Sequence, residues 1–321
     1  MKIFITGTAG FIGSAVAHSL LNEGHEVVGI DNFNDYYPVA LKESRHAKLE
    51  AREGYVGLRG DLADLKFLVS SFKAHAPDRV CHLAAQAGVR YSLENPHAYE
   101  QSNLAGHLNI LECCRHHDID RLVYASSSSV YGGNEKVPFS EDDPVDHPVS
   151  LYAATKKANE LMAHSYTHLY GFQTVGLRFF TVYGPEGRPD MAYWLFSEAM
   201  LQGRPIKVFN QGDMKRDFTY IDDIVQGVKA ALFVDGLDPY EIFNLGNNQP
   251  ERLMDMIRYL GDALEIEPEM EMLPMQPGDV PITYADISKA KDKLSYQPSM
   301  GLREGLGHFV DWFKTWNVVP K

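Results

Sequence analysis

Up to about residue 178, short apolar, β-branched runs alternate with longer stretches in which apolar positions return every three or four residues. The runs at 3–6, 26–30, 55–59, 79–83, 122–125 and 174–177 read as strands, and the stretches between them as helices. Strand–helix–strand units joined by right-handed crossovers make a parallel sheet with helices on both faces, so the predicted fold class is α/β, a doubly wound parallel sheet. Such sheets bind ligands beyond the carboxyl ends of their strands, which places the chemistry in the loops after each strand. Further on the alternation loosens, and Pro- and Gly-rich turns at 183–189, 203–205 and 275–281 separate shorter elements. The expected division is a first domain over 1–178, rejoined by part of 217–246, and a smaller C-terminal α/β lobe over 179–321. The stretch 134–148, rich in Asp, Glu and Pro, reads as a surface loop.

With 321 residues, 45% of them hydrophobic and 23% charged, the chain can bury a sizeable core. A net charge of -13 argues against nucleic acid or an anionic membrane as partner, so an anionic ligand must be held by a local group of donors. The start of the chain lacks the apolar run of a secretion signal, and no stretch approaches the ~18 apolar residues that span a bilayer. The cytoplasm is the expected compartment. Cys81, Cys113 and Cys114 and the 13 histidines lack metal-ligand spacing, so no metal is expected.

Three patterns carry chemistry. Gly7-Thr8-Ala9-Gly10-Phe11-Ile12-Gly13 follows the first strand and opens a helix, the context in which a glycine turn brings backbone N–H groups close to a pyrophosphate. Asp31 ends the second strand, where a carboxylate accepts both ribose hydroxyls of NAD and repels the 2′-phosphate of NADP. Asp61 and Leu62 after the third strand, and Leu83, Ala84 and Ala85 after the fourth, could border the same cofactor. The third pattern is Tyr152 with Lys156, which a helix stacks on one face. A phenol of pKa about 10 needs roughly 4 kcal/mol of electrostatic help to ionise near pH 7, and a nearby ammonium and a cationic cofactor ring can supply it.

These blocks, with Asp31-Asn32, the serine run 126–129 before Val130-Tyr131-Gly132, the segment 178–191 and the segment 216–223, resemble the extended short-chain dehydrogenase/reductase family and its nucleotide-sugar epimerases, above all those acting on UDP-glucuronate. The resemblance implies a Rossmann-type domain holding NAD, with Asn32 beside Asp31 in the cofactor site. It implies that Tyr152 is the base and then the acid in a C4 epimerisation through a 4-keto sugar. Lys156 would bind the nicotinamide ribose and lower the tyrosine pKa. Ser127 would hydrogen-bond the reacting oxygen, with Ser126, Ser128 and Ser129 as neighbouring alternatives. Related dehydratases and decarboxylases carry acids where this chain has Ser128 and Ser129, which leaves simple inversion at C4.

For the substrate, the resemblance implies that Arg188 forks onto both oxygens of a sugar carboxylate, assisted by Thr181, where UDP-glucose epimerases carry Asn. Arg216 would hold the diphosphate, Val208 with Phe209 would flank the uracil, and Asp279 would meet the uridine ribose; Gln276 replaces an arginine usual in UDP-galactose epimerases. The implied partners are UDP-glucuronate and UDP-galacturonate and a second copy of the chain, paired through helices near 97–116 and 151–170. A neutral-sugar UDP-glucose or UDP-N-acetylglucosamine 4-epimerase and a non-catalytic NAD-sensing protein are the competing readings.

Overall fold

The computed structural model describes residues 1–275 and 280–318. The first half runs β1 (Lys2–Thr6), α1 (Phe11–Asn22), β2 (Glu26–Asp31), α2 (Val39–Glu50), β3 (Tyr55–Arg59), α3 (Leu65–His75) and β4 (Arg79–His82). Two single-turn helices, α4 (Tyr91–Glu94) and α5 (Pro96–Tyr99), lead through a wide π turn at Glu100–Ala105 into α6 (Gly106–His116), β5 (Arg121–Ser127), α7 (Leu151–Tyr170) and β6 (Gln173–Phe179). The second half holds β7 (Thr181–Tyr183), α8 (Ala192–Leu201), β8 (Ile206–Val208), β9 (Lys215–Tyr220), α9 (Ile221–Phe233) and β10 (Tyr240–Leu245). It ends with β11 (Pro250–Arg252), α10 (Leu253–Leu264), β12 (Met270–Met272), β13 (Ile282–Thr283), α11 (Ser288–Leu294) and α12 (Leu302–Val318).

Seven strands form one sheet in the order β10-β6-β5-β4-β1-β2-β3, every pair parallel. All six expected strands are present. β5 and β6 run on past 125 and 177, because Ser126 pairs with Arg178 and Ser127 with Phe179 in register. Buried on both sides, β1 and β5 read as nearly continuous apolar runs, as a covered parallel sheet requires, while β3 at the edge is partly exposed. Their side chains alternate between two cores. Ile3 and Ile5 pack with Val16 and Leu20 of α1 and Ile224 and Val228 of α9, while Phe4 packs with Leu68 and Phe72 of α3 and Ile110 of α6.

The first of these cores continues without a break into Trp194 of α8, Leu260 of α10 and Phe309 of α12, so the C-terminal lobe is packed onto one face of the sheet. Its own small sheet is built on β9, which pairs with β11, β13 and β7. Within β9 the fully buried Asp217 accepts hydrogen bonds from the backbone N–H groups of Asn247, Asn248 and Ala285 and from the Thr219 hydroxyl. The stretch 134–148 departs from the expected surface loop. Phe139 is 1% exposed, its N–H donates to Tyr284 and its carbonyl accepts from Asp286, so this segment straps the end of β5 to the C-terminal lobe. An apolar residue among many acids was hidden by the average polarity of the stretch.

Candidate active site

A cavity of about 790 Å³ opens at the carboxyl ends of the strands, where the sheet order turns back between β1 and β4. Gly7, Gly10, Phe11, Ile12 and Gly13 form its floor. Gly7 has φ +79°, and a Cβ on Gly13 would lie 2.0 Å from the Gly7 carbonyl oxygen, so the turn can close only with glycine at both places. Gly10 caps the twelve-residue helix α1 with no side chain over its first N–H groups. This is a cradle of the right kind for a pyrophosphate: bare backbone donors at a positive helix end.

The strand ends close in around it. Asp31 accepts from the N–H groups of Ala9 (3.1 Å) and Phe33 (2.9 Å), which ties the glycine turn to the tip of β2. Asn32 donates to Asp61 at 3.0 Å, and both line the cavity together with Leu62, Leu83, Ala84 and Ala85. The Ala84 N–H donates to Thr6 Oγ1 at 3.0 Å, which holds the β4 loop against β1.

Helix α7 starts where Ser150 accepts a hydrogen bond from the Ala153 N–H. Tyr152, Lys156 and Glu160 then follow at four-residue intervals along one face, and each meets the end of β5. The Tyr152 hydroxyl pairs with Ser127, Lys156 Nζ donates to the Ala125 carbonyl at 2.9 Å, and Glu160 accepts from Ser126 Oγ at 2.7 Å. Glu160 is also held bidentately by Arg178 of β6, at 2.8 and 2.9 Å, with both partners buried. Arg178 reaches on to the Tyr131 hydroxyl, which donates to Asn244 of β10. Three strands and the strap are thereby fixed relative to the tyrosine.

Burial raises the Tyr152 pKa, against the lowering effects of the Ser127 hydrogen bond and the Arg188 charge. Burial depresses the Lys156 ammonium itself to about 8, and its nitrogen donates to the Ala125 carbonyl. In the protein alone, Tyr152 is a phenol.

Ser127, Ser128, Thr181 and Arg188 line the same cavity as Tyr152. Arg188, however, already has a carboxylate: its Nε donates to Asp190 Oδ1 at 3.0 Å and Nη2 to Asp190 Oδ2, while Tyr36 donates to the same Oδ2 at 3.0 Å. Two of its five N–H donors are therefore in use, and Nη1 together with the second N–H of Nη2 remains for an end-on fork onto substrate. Val208 is fully buried in the core and does not line the cavity. Alternation along β8 turns Lys207 toward the cavity instead, and Phe209 follows it there. Arg216 is not brought to the cavity; it donates to the carbonyls of Lys215 and Pro281. Asp279 and Gln276 lie outside the described residues. Sequence reasoning also missed Tyr36, Asp190 and Arg90, whose guanidinium lies 5.4 Å from the Phe209 ring. Only their position in loops after β2, β7 and β4 could have marked them.

Comparison with known proteins agrees with this geometry. Residues 3–246 match the model of the NAD dependent epimerase/dehydratase family. UDP-glucuronate 4-epimerase 4 of Arabidopsis thaliana is 48% identical over 98% of this chain and 75% of its own length. The crystal structure of UDP-glucuronic acid 4-epimerase from Bacillus cereus, in complex with UDP-glucuronic acid and NAD, superposes with a TM-score of 0.93 at 37% identity, covering 98% of this chain and all of that one. A UDP-glucose 4-epimerase from Thermotoga maritima superposes with a TM-score of 0.90 at 30% identity, over 99% of this chain and all of the other. With a glycine cradle, a strand-end carboxylate and a Ser–Tyr–Lys cluster around one cavity, and relatives that match along nearly its whole length, the chain belongs to the NAD-dependent epimerase/dehydratase family.

Proposed function

We propose that the protein interconverts UDP-glucuronate and UDP-galacturonate by inverting C4 through a 4-keto sugar, using bound NAD. The observation that carries this reading is the meeting of Tyr152, Ser127, Thr181 and Arg188 in one cavity, with serines at positions 128 and 129 where acids would be needed for chemistry at C5. Bound NAD+ supplies the redox chemistry, accepting a hydride from C4 and returning it to the opposite face. The chain's residues do the rest. The glycine turn, Asp31, Asn32, Asp61, Leu62 and Leu83 to Ala85 hold the dinucleotide, and Lys156 holds its ribose. Tyr152 takes the proton of the 4-hydroxyl and later gives it back, with Ser127 hydrogen-bonded to the same oxygen. Burial raises the phenol pKa, and the positive charge of the oxidised cofactor would act in the opposite sense, favouring the phenolate in the loaded site. Arg188, forking through Nη1 and the second N–H of Nη2, and Thr181 select the sugar carboxylate and hold it away from the alignment that releases CO2 from a β-keto acid. Arg90, Lys207 and Phe209 are positioned for the nucleotide half in place of Val208 and Arg216.

One observation favours the second reading. Asp190 pairs with Arg188 and lowers the net positive charge that faces a sugar carboxylate. Incubation of the purified protein with UDP-glucuronate and, separately, UDP-glucose, with no added cofactor and products followed by NMR, decides between them. UDP-galacturonate from the first supports the proposal. UDP-galactose from the second alone establishes the neutral-sugar reading, UDP-xylose a decarboxylase, and NAD binding without any turnover a sensing protein.

The reading also assigns cofactor binding to residues 1–178 together with part of 217–246, and nucleotide-sugar binding to 179–321. It includes a homodimer, supported by Leu108 of α6 and Leu161 and Leu169 of α7, which are 40%, 57% and 65% exposed. A cytoplasmic location is supported by three buried free thiols. Among the described residues no helix is long and apolar enough to cross a membrane.

A further inference from the structure

The loop that carries Arg188 is anchored by a residue far from it in sequence. Arg45 of α2 is 0% exposed, and its Nη2 donates to the backbone carbonyls of Glu186 and Gly187, the latter at 3.1 Å. Its Nη1 donates to the Ala9 carbonyl at 2.9 Å and to the Tyr37 hydroxyl at 3.0 Å. Ala9 is the middle of the glycine turn, and its N–H is the one that Asp31 holds. A single guanidinium therefore spans from the dinucleotide cradle to the two residues before Arg188.

The charge on that guanidinium is uncompensated. Among the described residues no carboxylate lies within ion-pairing distance of Arg45, and its Nε has no hydrogen-bond partner. Neutral groups, three backbone carbonyls and the Tyr37 hydroxyl, satisfy a cation removed from water, an arrangement that an arriving anion would stabilise. The glycine turn it grips is built to receive one, a pyrophosphate. The loop at its other end is wound tightly: Glu186 has φ +58°, and a Cβ on Gly187 would lie 2.0 Å from the Tyr193 hydroxyl.

We infer that Arg45 is a positioning residue that couples dinucleotide binding to the placement of Arg188, so that filling the cradle tightens the hold on the sugar-selecting loop. The identity of the sugar in this statement rests on the function proposed above; the coupling between cradle and loop does not. Coupling of this kind is reciprocal, so filling the sugar site also tightens the cofactor.

The test measures backbone amide exchange of residues 184–191 in the full-length protein, with saturating NAD+ and after the cofactor has been dialysed away. In the wild type NAD+ slows exchange of this loop. In Arg45→Lys, which keeps the charge but loses the fork, the NAD+ effect on the loop disappears, and KM for UDP-glucuronate rises about tenfold with kcat changed less, a coupling in the usual range. Equal protection of the loop by NAD+ in wild type and R45K overturns the inference. So does an absence of any NAD+ effect on 184–191 in the wild type, a result that stands even if R45K does not fold. If the wild type fails to turn over UDP-glucuronate, the substrate reading falls while the exchange measurement still decides the coupling.

Discussion

Asp190 shows how one carboxylate can set the selectivity of its neighbour. It sits between Arg188 and Tyr36, so a substrate carboxylate approaching Arg188 meets a like charge a few ångströms away. At an effective dielectric of about 20 such a repulsion is worth roughly 1–3 kcal/mol. Asp190→Asn keeps an acceptor for Arg188 but removes the charge, and KM for UDP-glucuronate should fall about tenfold while that for UDP-glucose stays unchanged. A rise in both would show that the charge is needed to orient Arg188. Lys156 makes a second prediction, in cofactor-free protein. Burial lowers its folded pKa to about 8 from 10.5, so below pH 8 the folded state carries an ammonium it would rather release. Between pH 8 and 10.5 the unfolded chain binds more protons than the folded one, and stability from this group rises with pH. The advantage that Lys156→Met shows over wild type in urea denaturation at pH 7 should therefore shrink by pH 10. Of the residue chemistry, the Tyr152–Lys156 stripe and the glycine turn were legible from spacing, while Ser127 and Thr181 came only from the resemblance to the epimerases. Asp190 and Arg45 were not, because nothing in a linear pattern says which carbonyl or cation a loop residue will face.

Between residues and the fold lies the fastening of α7 to β5. Tyr152, Lys156 and Glu160 each bond to the last residues of β5, and the Glu160–Arg178 pair is the buried end of that seam. Glu160→Leu leaves Arg178 buried without its partner and should cost about 3 kcal/mol in urea denaturation, much of which Glu160→Leu with Arg178→Met should restore. Catalysis should not be restored to the same extent, since Ser126 remains unanchored next to Ser127; full recovery of kcat in the double variant would show that the seam does not position the active site. The helix and strand themselves were plain from the sequence. Their ends were not: Ser126 and Ser127 look like loop residues until Arg178 and Phe179 are seen beside them. The strap at 134–148 was misread for a similar reason, since burial of Phe139 depends on Tyr284 and Asp286, far along the chain.

On the scale of the molecule, α6 and α7 turn a row of leucines outward. Leu161→Glu with Leu169→Glu should convert a dimer to a monomer in analytical ultracentrifugation while leaving the thermal midpoint of the monomer nearly unchanged. An unaltered sedimentation coefficient would place the contact elsewhere. The six-strand rhythm announced the doubly wound sheet, but the seventh strand lacked that rhythm, coming after the small elements of the second lobe. That late arrival bears on synthesis. As the chain leaves the ribosome, β6 presents an open edge until β10, some sixty residues further on, emerges to cover it. Everything between, including Thr181, Arg188 and β9, is made first. When β10 closes the cofactor sheet, Thr181 and Arg188 have therefore already been made, and a nascent chain stopped before β10 carries an uncovered strand edge that chaperones would have to shield.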